Sequence, residues 1–116
     1  MTIRYKNQGF KQTDTSKTTV FTCPSDATVI VKSIYCANND ASSAILVNMN
    51  LVDSSDSSTE YEFFRDDVAA KEQVNASPQG LNLEAGDAIT VTAATGSSKI
   101  QGLINYALID RSQENG

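Results

Sequence analysis

Residues 43–53, SAILVNMNLVD, carry the most regular period in the chain: Ile45, Val47, Met49 and Leu51 fall on one side of an extended backbone, Leu46, Asn48 and Asn50 on the other. Alternation of apolar with mostly polar residues at period two describes a strand with one face on a core. The polar run DSSDSS ends it. Beyond that loop, TEYEFFRD sets Tyr61 and Phe63 against Glu60, Glu62 and Phe64, which leaves Phe64 expected at the surface.

The same grammar extends in both directions. Upstream, KTTVFTC and ATVIVKSIYCAN flank Pro24-Ser25-Asp26, a turn former, and read as an antiparallel pair, with Asn38-Asn39-Asp40 turning the chain again. Downstream, Ser77-Pro78-Gln79-Gly80 breaks the chain before LNLEAGDAITVTA, in which Ala85-Gly86-Asp87 is expected to turn on a glycine with positive φ. Thr95-Gly96-Ser97-Ser98 precedes the last long strand, KIQGLINYALID. One weak helical stripe, Asp66 to Val74, allows a short helix or a bent strand. At the front, Ile3 and Tyr5 alternate with Arg4 and Lys6, which predicts a first strand over residues 2–8 and a polar link up to Lys17.

About eight strands in 116 residues specify an all-β fold, an antiparallel β-sandwich or jelly roll with an extended N-terminal arm; a closed barrel is the alternative. The expected division is 1–17 for the N-terminal strand and arm, 18–110 for the sandwich and 111–116 for a flexible tail. Ser, Thr, Asn and Gln supply 39 of the 116 residues, as short strands separated by polar turns require.

Composition narrows the chemistry. Nine basic against fourteen acidic residues give a net charge of −5, unsuited to neutralising phosphates, so no nucleic-acid partner is expected. The absence of histidine removes the commonest general base and zinc ligand, and the expectation is a protein that is not an enzyme and carries no cofactor. No stretch approaches the roughly 18 apolar residues of a membrane span, and no apolar signal segment opens the chain, so no membrane association and a soluble, cytosolic product are expected. Cys23 and Cys36 read as free, buried thiols.

Two carboxylate groupings are candidates for chemistry. Glu60 and Glu62, two apart on a strand, share a face and read as a solvated surface rather than an acid–base pair. Asp53, Asp56, Asp66 and Asp67 lie at loop ends and offer oxygen ligands to calcium, but without the D-x-[DN]-x-[DN]-G pattern. No metal site is assigned.

The remaining asymmetry is at the front, where residues 1–18 hold Arg4, Lys6, Lys11 and Lys17 against Asp14 alone. Lysines protecting an edge strand explain this. So does docking on an acidic partner through a surface of Arg4, Tyr5, Lys6, Phe10, Lys11 and Phe64.

The segments TVFTCPSDATVIVKSIYCANND (19–40), LNLEAGDAITVTA (81–93) and INYALID (104–110) resemble small β-sandwich virion structural proteins of tailed bacteriophages, over residues 18–110. The resemblance implies a capsid decoration, or cement, protein that stabilises the head, or else a neck, tail or fibre component. It also implies a virion location, contacts with the major capsid protein or other virion proteins, and a homo-oligomer, with trimers favoured. It carries over no catalytic residue. A carbohydrate- or receptor-binding β-sandwich module, with Tyr61 and Phe64 beside asparagine-rich loops, is the alternative of a different class.

Overall fold

The computed structural model describes residues 2–112; the expected flexible tail lies, from residue 113 on, outside the described residues. Among the described residues nine strands form: β1 (Thr2–Lys11), β2 (Thr18–Thr22), β3 (Ala27–Asn38), β4 (Ile45–Asp53), β5 (Thr59–Val68), β6 (Gln73–Asn75), β7 (Leu81–Leu83), β8 (Ala88–Ala93) and β9 (Ile100–Asp110), with a 3-10 turn at Ser54–Asp56 between β4 and β5. One sheet runs β1-β9-β3, and the far edge of β3 is shared by β7, beside Val29–Val31, and β6, beside Tyr35–Ala37. The other runs β2-β8-β4-β5. All pairings are antiparallel.

The wiring is one long hairpin folded over on itself. β4 meets β5, β3 meets β6 and β7, β2 meets β8 and β1 meets β9, and the rolled hairpin then adds β3 to β9 and β4 to β8. This is a jelly roll, two packed sheets rather than a closed barrel. Among the described residues no helix is long and apolar enough to cross a membrane.

The expected pairing of KTTVFTC with ATVIVKSIYCAN does not form. β2 and β3 lie in different sheets, and the Pro24–Ala27 turn, closed by the Ala27 amide donating to the Pro24 carbonyl at 3.2 Å, carries the chain across the sandwich. The turn around Gly86 (φ +84°) does the same between β7 and β8. Period-two patterning reports which side of a strand is buried and is silent on its neighbour. The Asp66–Val74 stripe is not helical either: β5 runs to Val68, and a turn with Lys71 at φ +65° leads into β6.

The core lies between the sheets. Ile45, Val47 and Met49 of β4 face Val29, Val31, Ile34 and Cys36 of β3, with Ile89 and Val91 of β8 and Ile100 and Ile104 of β9 filling the interior. The inward residues of β3 change from odd to even numbers between Val31 and Ile34 because the ladder with β9 slips there, so that one extra residue is accommodated. A second slip, between Met49 and Asn50, leaves Phe63 unpaired in β5 and turns both Phe63 and Phe64 toward the core. Phe64 is therefore half-buried, not the exposed side chain that alternation predicts.

β1 is a full member of its sheet, in register with β9 from Thr2 opposite Asp110 to Lys11 opposite Gln101 without a slip. Phe10, expected on a docking surface, is 8% exposed and belongs to the core. It sits opposite Gly102, where any Cβ would fall 2.1 Å from Phe10 Cζ and 2.5 Å from the Tyr35 carbonyl oxygen, too close to both. Beyond it, Gln12 is buried and donates from Nε2 to the Val91 carbonyl of the opposite sheet at 3.2 Å. At the other end Asp87, also buried, accepts from the Ser54 amide and hydroxyl at 3.0 and 3.1 Å and from the Glu84 amide at 2.9 Å, tying the β4–β5 turn to the corner before β8.

Both cysteines are free and buried. Burial pushes the Cys36 thiol up to about 11, and burial and the nearby Asp87 charge raise that of Cys23. Thiolates react, so both should resist modification at neutral pH. An Ellman titration should count two thiols after denaturation and close to none in the folded protein; fewer than two in denaturant would indicate a disulfide.

Gly102→Ala should cost about 1–3 kcal/mol by displacing the Phe10 ring, and Phe10→Ala about 3–5 kcal/mol by opening a cavity. In chemical denaturation, the pair Phe10→Leu with Gly102→Ala should lose less than the sum of its parts, because the two positions share one contact.

Candidate functional site

The outward side of the β1-β9-β3 sheet is unlike an ordinary solvated face. Register places Ile3 beside Ile109 and Thr28, then Tyr5 beside Ala107 and Ile30, then Asn7 beside Asn105 and Ser33, then Gly9 beside Leu103 and Tyr35. Three of these four rows are largely apolar, and in the polar one Asn105 Nδ2 donates to Ser33 Oγ at 3.0 Å. Ile3, Tyr5, Ile30, Tyr35 and Leu103 are all exposed, Tyr5 the most at 75%. Lys32, the extra residue where β3 slips, carries its ammonium over the Tyr5 ring at 4.8 Å from the centroid, a cation–π contact that holds the ring on the face. Shallow hollows of about 310 Å³ and 280 Å³ lie beside Tyr5 and Lys32 and beside Tyr35 and Leu103. A cluster of large exposed apolar side chains on one sheet is the usual mark of a docking surface.

Of the residues that the sequence points to, Tyr5 belongs to this face. Lys11 lies at its end, opposite Gln101. Arg4 and Lys6 point to the other side of β1, where that strand overhangs β2; Lys6 lines a groove of about 400 Å³ with Gln8, Phe21 and Tyr106. Phe21 and Tyr106 close the floor of the groove, their rings 4.7 Å apart and steeply inclined. Phe10 and Phe64 are turned inward and take no part. Ile30, Tyr35 and Leu103 were not singled out by sequence, although ATVIVKSIY places apolar residues at both parities, the available sign of a strand that is apolar on both sides.

The outer face of the other sheet is mostly polar and internally paired, although Leu46 is exposed on it. Glu60 accepts from Lys17 Nζ at 2.5 Å, from Asn50 Nδ2 at 3.3 Å and from Thr90 Oγ1 at 3.5 Å. Glu62 accepts from Asn48 Nδ2 at 2.8 Å and Arg65 Nε at 2.8 Å. Glu60 and Glu62 line a solvated face, as their spacing predicts. The four loop-end aspartates are not brought together: Asp53 accepts from the Ser55 amide and hydroxyl and Asp56 from the Tyr61 hydroxyl at one end of β5, whereas Asp66 and Asp67 stand at the other. Among the described residues no group of three or more metal-ligating side chains converges.

Hydrogen bonds from Lys17 and Asn50 hold the Glu60 carboxyl below the ordinary carboxylate range; the Ser42 and Ser43 amides do the same for Asp40, and the Ser112 hydroxyl and amide for Asp110. A carboxylate depressed in the folded state stabilises it above its unfolded pKa, and that contribution disappears as pH falls through the folded value. The melting temperature should therefore hold from neutral pH to the ordinary carboxylate range and fall below it, and Glu60→Gln should make that acid limb shallower in thermal melts.

No protein-family model matches the sequence, and no match to it was found among curated proteins. Solved structures do share the fold. A Bacillus endospore appendage protein, of a family described as disulfide-linked pili, aligns with 95% of this chain and 88% of its own length at 10% identity and a TM-score of 0.52. A protein of the T13 IBDV viral particle aligns with 93% of this chain at 6% identity and a TM-score of 0.52, and this chain spans 31% of its length. A pentameric capsid protein from metagenomic phage sequences aligns over 93% of this chain and 64% of its own at 15% identity, but with a TM-score of 0.39 it carries no weight. At these identities the likeness establishes the jelly-roll sandwich and nothing finer.

Proposed function

We propose that this chain is a non-enzymatic structural protein of a tailed-bacteriophage particle, a decoration protein that binds the outside of the head through the Tyr5, Ile30, Tyr35 and Leu103 face. The observation that carries the reading is that face: five large apolar side chains exposed on one sheet, next to a groove lined in part by Lys6. The resemblance of residues 18–110 to small virion sandwiches points the same way. Specific contacts bury about 1,600 Å² in total, and a sheet of this length, seated on the major capsid protein, supplies a patch of that kind. Neighbouring capsid subunits bridged by such contacts are held against sliding, which is how a cement protein acts without chemistry. No nucleic acid, membrane or cofactor enters this reading.

A neck, tail or fibre position uses the same surface and differs in copy number. Quantitative mass spectrometry of purified particles, with heads separated from tails, should find the protein in hundreds of copies on heads; a handful on tails would move it there, and absence from particles would overturn the reading. The glycan-binding alternative has less to stand on, because Tyr61 donates its hydroxyl to Asp56 at 2.6 Å and Phe64 is turned toward the core. Ile30→Lys with Leu103→Lys should weaken binding to undecorated heads by about 30-fold or more if these are central contacts, while leaving the melting temperature nearly unchanged, since both side chains are solvent-exposed. Undiminished binding by that variant would remove the face from the mechanism.

A further inference from the structure

Among the described residues the folded-over hairpin leaves four sheet edges, formed by five strands, and they are not equivalent. β2 has five residues, and β6 and β7 have three each with a turn between them. Edges that are short or interrupted are poor templates for another strand. β1 and β5 each have ten residues. β1 contains neither proline nor a slip, and among the described residues its only backbone ladder is the one to β9, so the alternate N–H and C=O groups on its outer side face solvent, apart from the Gly9 carbonyl, which accepts from Gln8 Nε2 at 3.2 Å.

The two long edges carry opposite charge. β1 holds Arg4, Lys6 and Lys11 and no acid; β5 holds Glu60, Glu62, Asp66 and Asp67 with a single cation, Arg65. Glu60 and Glu62 are spoken for by Lys17 and Arg65, and among the described residues Asp66 and Asp67 form no salt bridge. At full overlap two β5 edges would oppose Glu60 to Asp67, unfavourable across strands, and two β1 edges would gather the cations of both strands with no carboxylate among them. The mixed pairing sets cations against carboxylates.

We propose that β1 of one copy adds to β5 of a second copy, so that the β1-β9-β3 sheet of one continues into the β2-β8-β4-β5 sheet of the next. Antiparallel pairing at full overlap sets Thr2 opposite Val68 and Arg4 opposite Asp66, with Lys11 toward the Glu60 end. The slip at Phe63 divides the new ladder into two stretches, residues 59–62 and 64–68. The two edges are on opposite flanks of the sandwich: β1 borders the groove against β2, whereas Phe63 of β5 borders the turn between β6 and β7. Each copy that has used one edge therefore still presents the other, and the association is head-to-tail, closing into a ring or running on as a filament according to the rotation per step. This goes beyond the proposed head-binding role and does not depend on it, because the docking face and the two edges are different surfaces.

The test uses the purified full chain in sedimentation velocity over a concentration series, at low and high salt. The unmodified chain should associate with rising concentration, and less so at high salt. Arg4→Glu with Lys6→Glu, and separately Asp66→Lys with Asp67→Lys, should each associate about tenfold or more weakly, from cross-strand charge reversal. An equimolar mixture of the two variants should associate again, since each then meets an edge of opposite sign. All four sites are exposed, and unchanged melting temperatures verify folding; should a reversed pair not fold, Arg4→Gln with Lys6→Gln gives the same direction with a smaller loss. A chain that stays monomeric at low salt, variants that associate undiminished, or a mixture that stays monomeric would each overturn the proposal. Ile30→Lys with Leu103→Lys should not change sedimentation, so a failure of head binding and a failure of edge pairing are told apart.

Discussion

The rest of the structure hangs on the position of β9. It lies between β1 and β3 and is in register with nearly the whole length of both, so one sheet exists only once the C-terminal strand has come between an N-terminal strand and the third. Pairings of such sequence separation bear the loop-closure cost before they return any burial, and a jelly roll folds slowly for that reason. The contact that fixes β1 on β9 is correspondingly specific. Phe10 lies over Gly102, the position in the ladder where no Cβ intervenes, and the Gln12 amide then reaches across to Val91 of the other sheet.

Two kinds of surface follow from this arrangement. The sheet built around β9 turns Ile3, Tyr5, Ile30, Tyr35 and Leu103 to solvent, while the sheet built around β8 and β4 turns out carboxylates and amides that satisfy one another through Lys17, Arg65, Asn48 and Asn50. An internally paired polar face gains little from a partner, since exposed ion pairs contribute modestly and their groups are already satisfied. The apolar face gains by being covered. That difference is why the proposed docking role falls to one side of the sandwich and not to the other.

The acidic net charge of the chain conceals an uneven distribution. Cations gather on β1 and carboxylates on β5, which the topology sends to opposite flanks. The two explanations of the basic front, protection of an edge and docking on an acidic partner, are compatible in this geometry, because lysine and arginine on an open edge discourage random strand addition while admitting an acidic one.

Several features were readable from residues alone. The alternation of SAILVNMNLVD, the Gly86 corner, the first strand and the buried thiols all follow from properties carried locally: side-chain polarity at period two, the positive φ open to glycine, and the absence of a cysteine motif. What local pattern could not supply was partnership. Pro24-Ser25-Asp26 looks the same whether it reverses the chain within one sheet or carries it across to another, so the residues suggest β2 and β3 as neighbours, and the topology separates them. Ladder slips are equally silent, because an extra residue is defined only relative to the partner strand; the slips at Lys32 and Phe63 place Ile34, Phe63 and Phe64 inside against simple alternation. Nothing near Phe10 in sequence shows that Gly102 lies opposite it, so the sequence alone places the ring at the surface. The sequence by itself determined that the chain is β throughout and which residues can serve as core, because burial preference is a property of each side chain. Only the tertiary structure decided which strands meet, which apolar side chains remain outside and on which flanks the charges lie, because those depend on contacts between residues far apart in the chain.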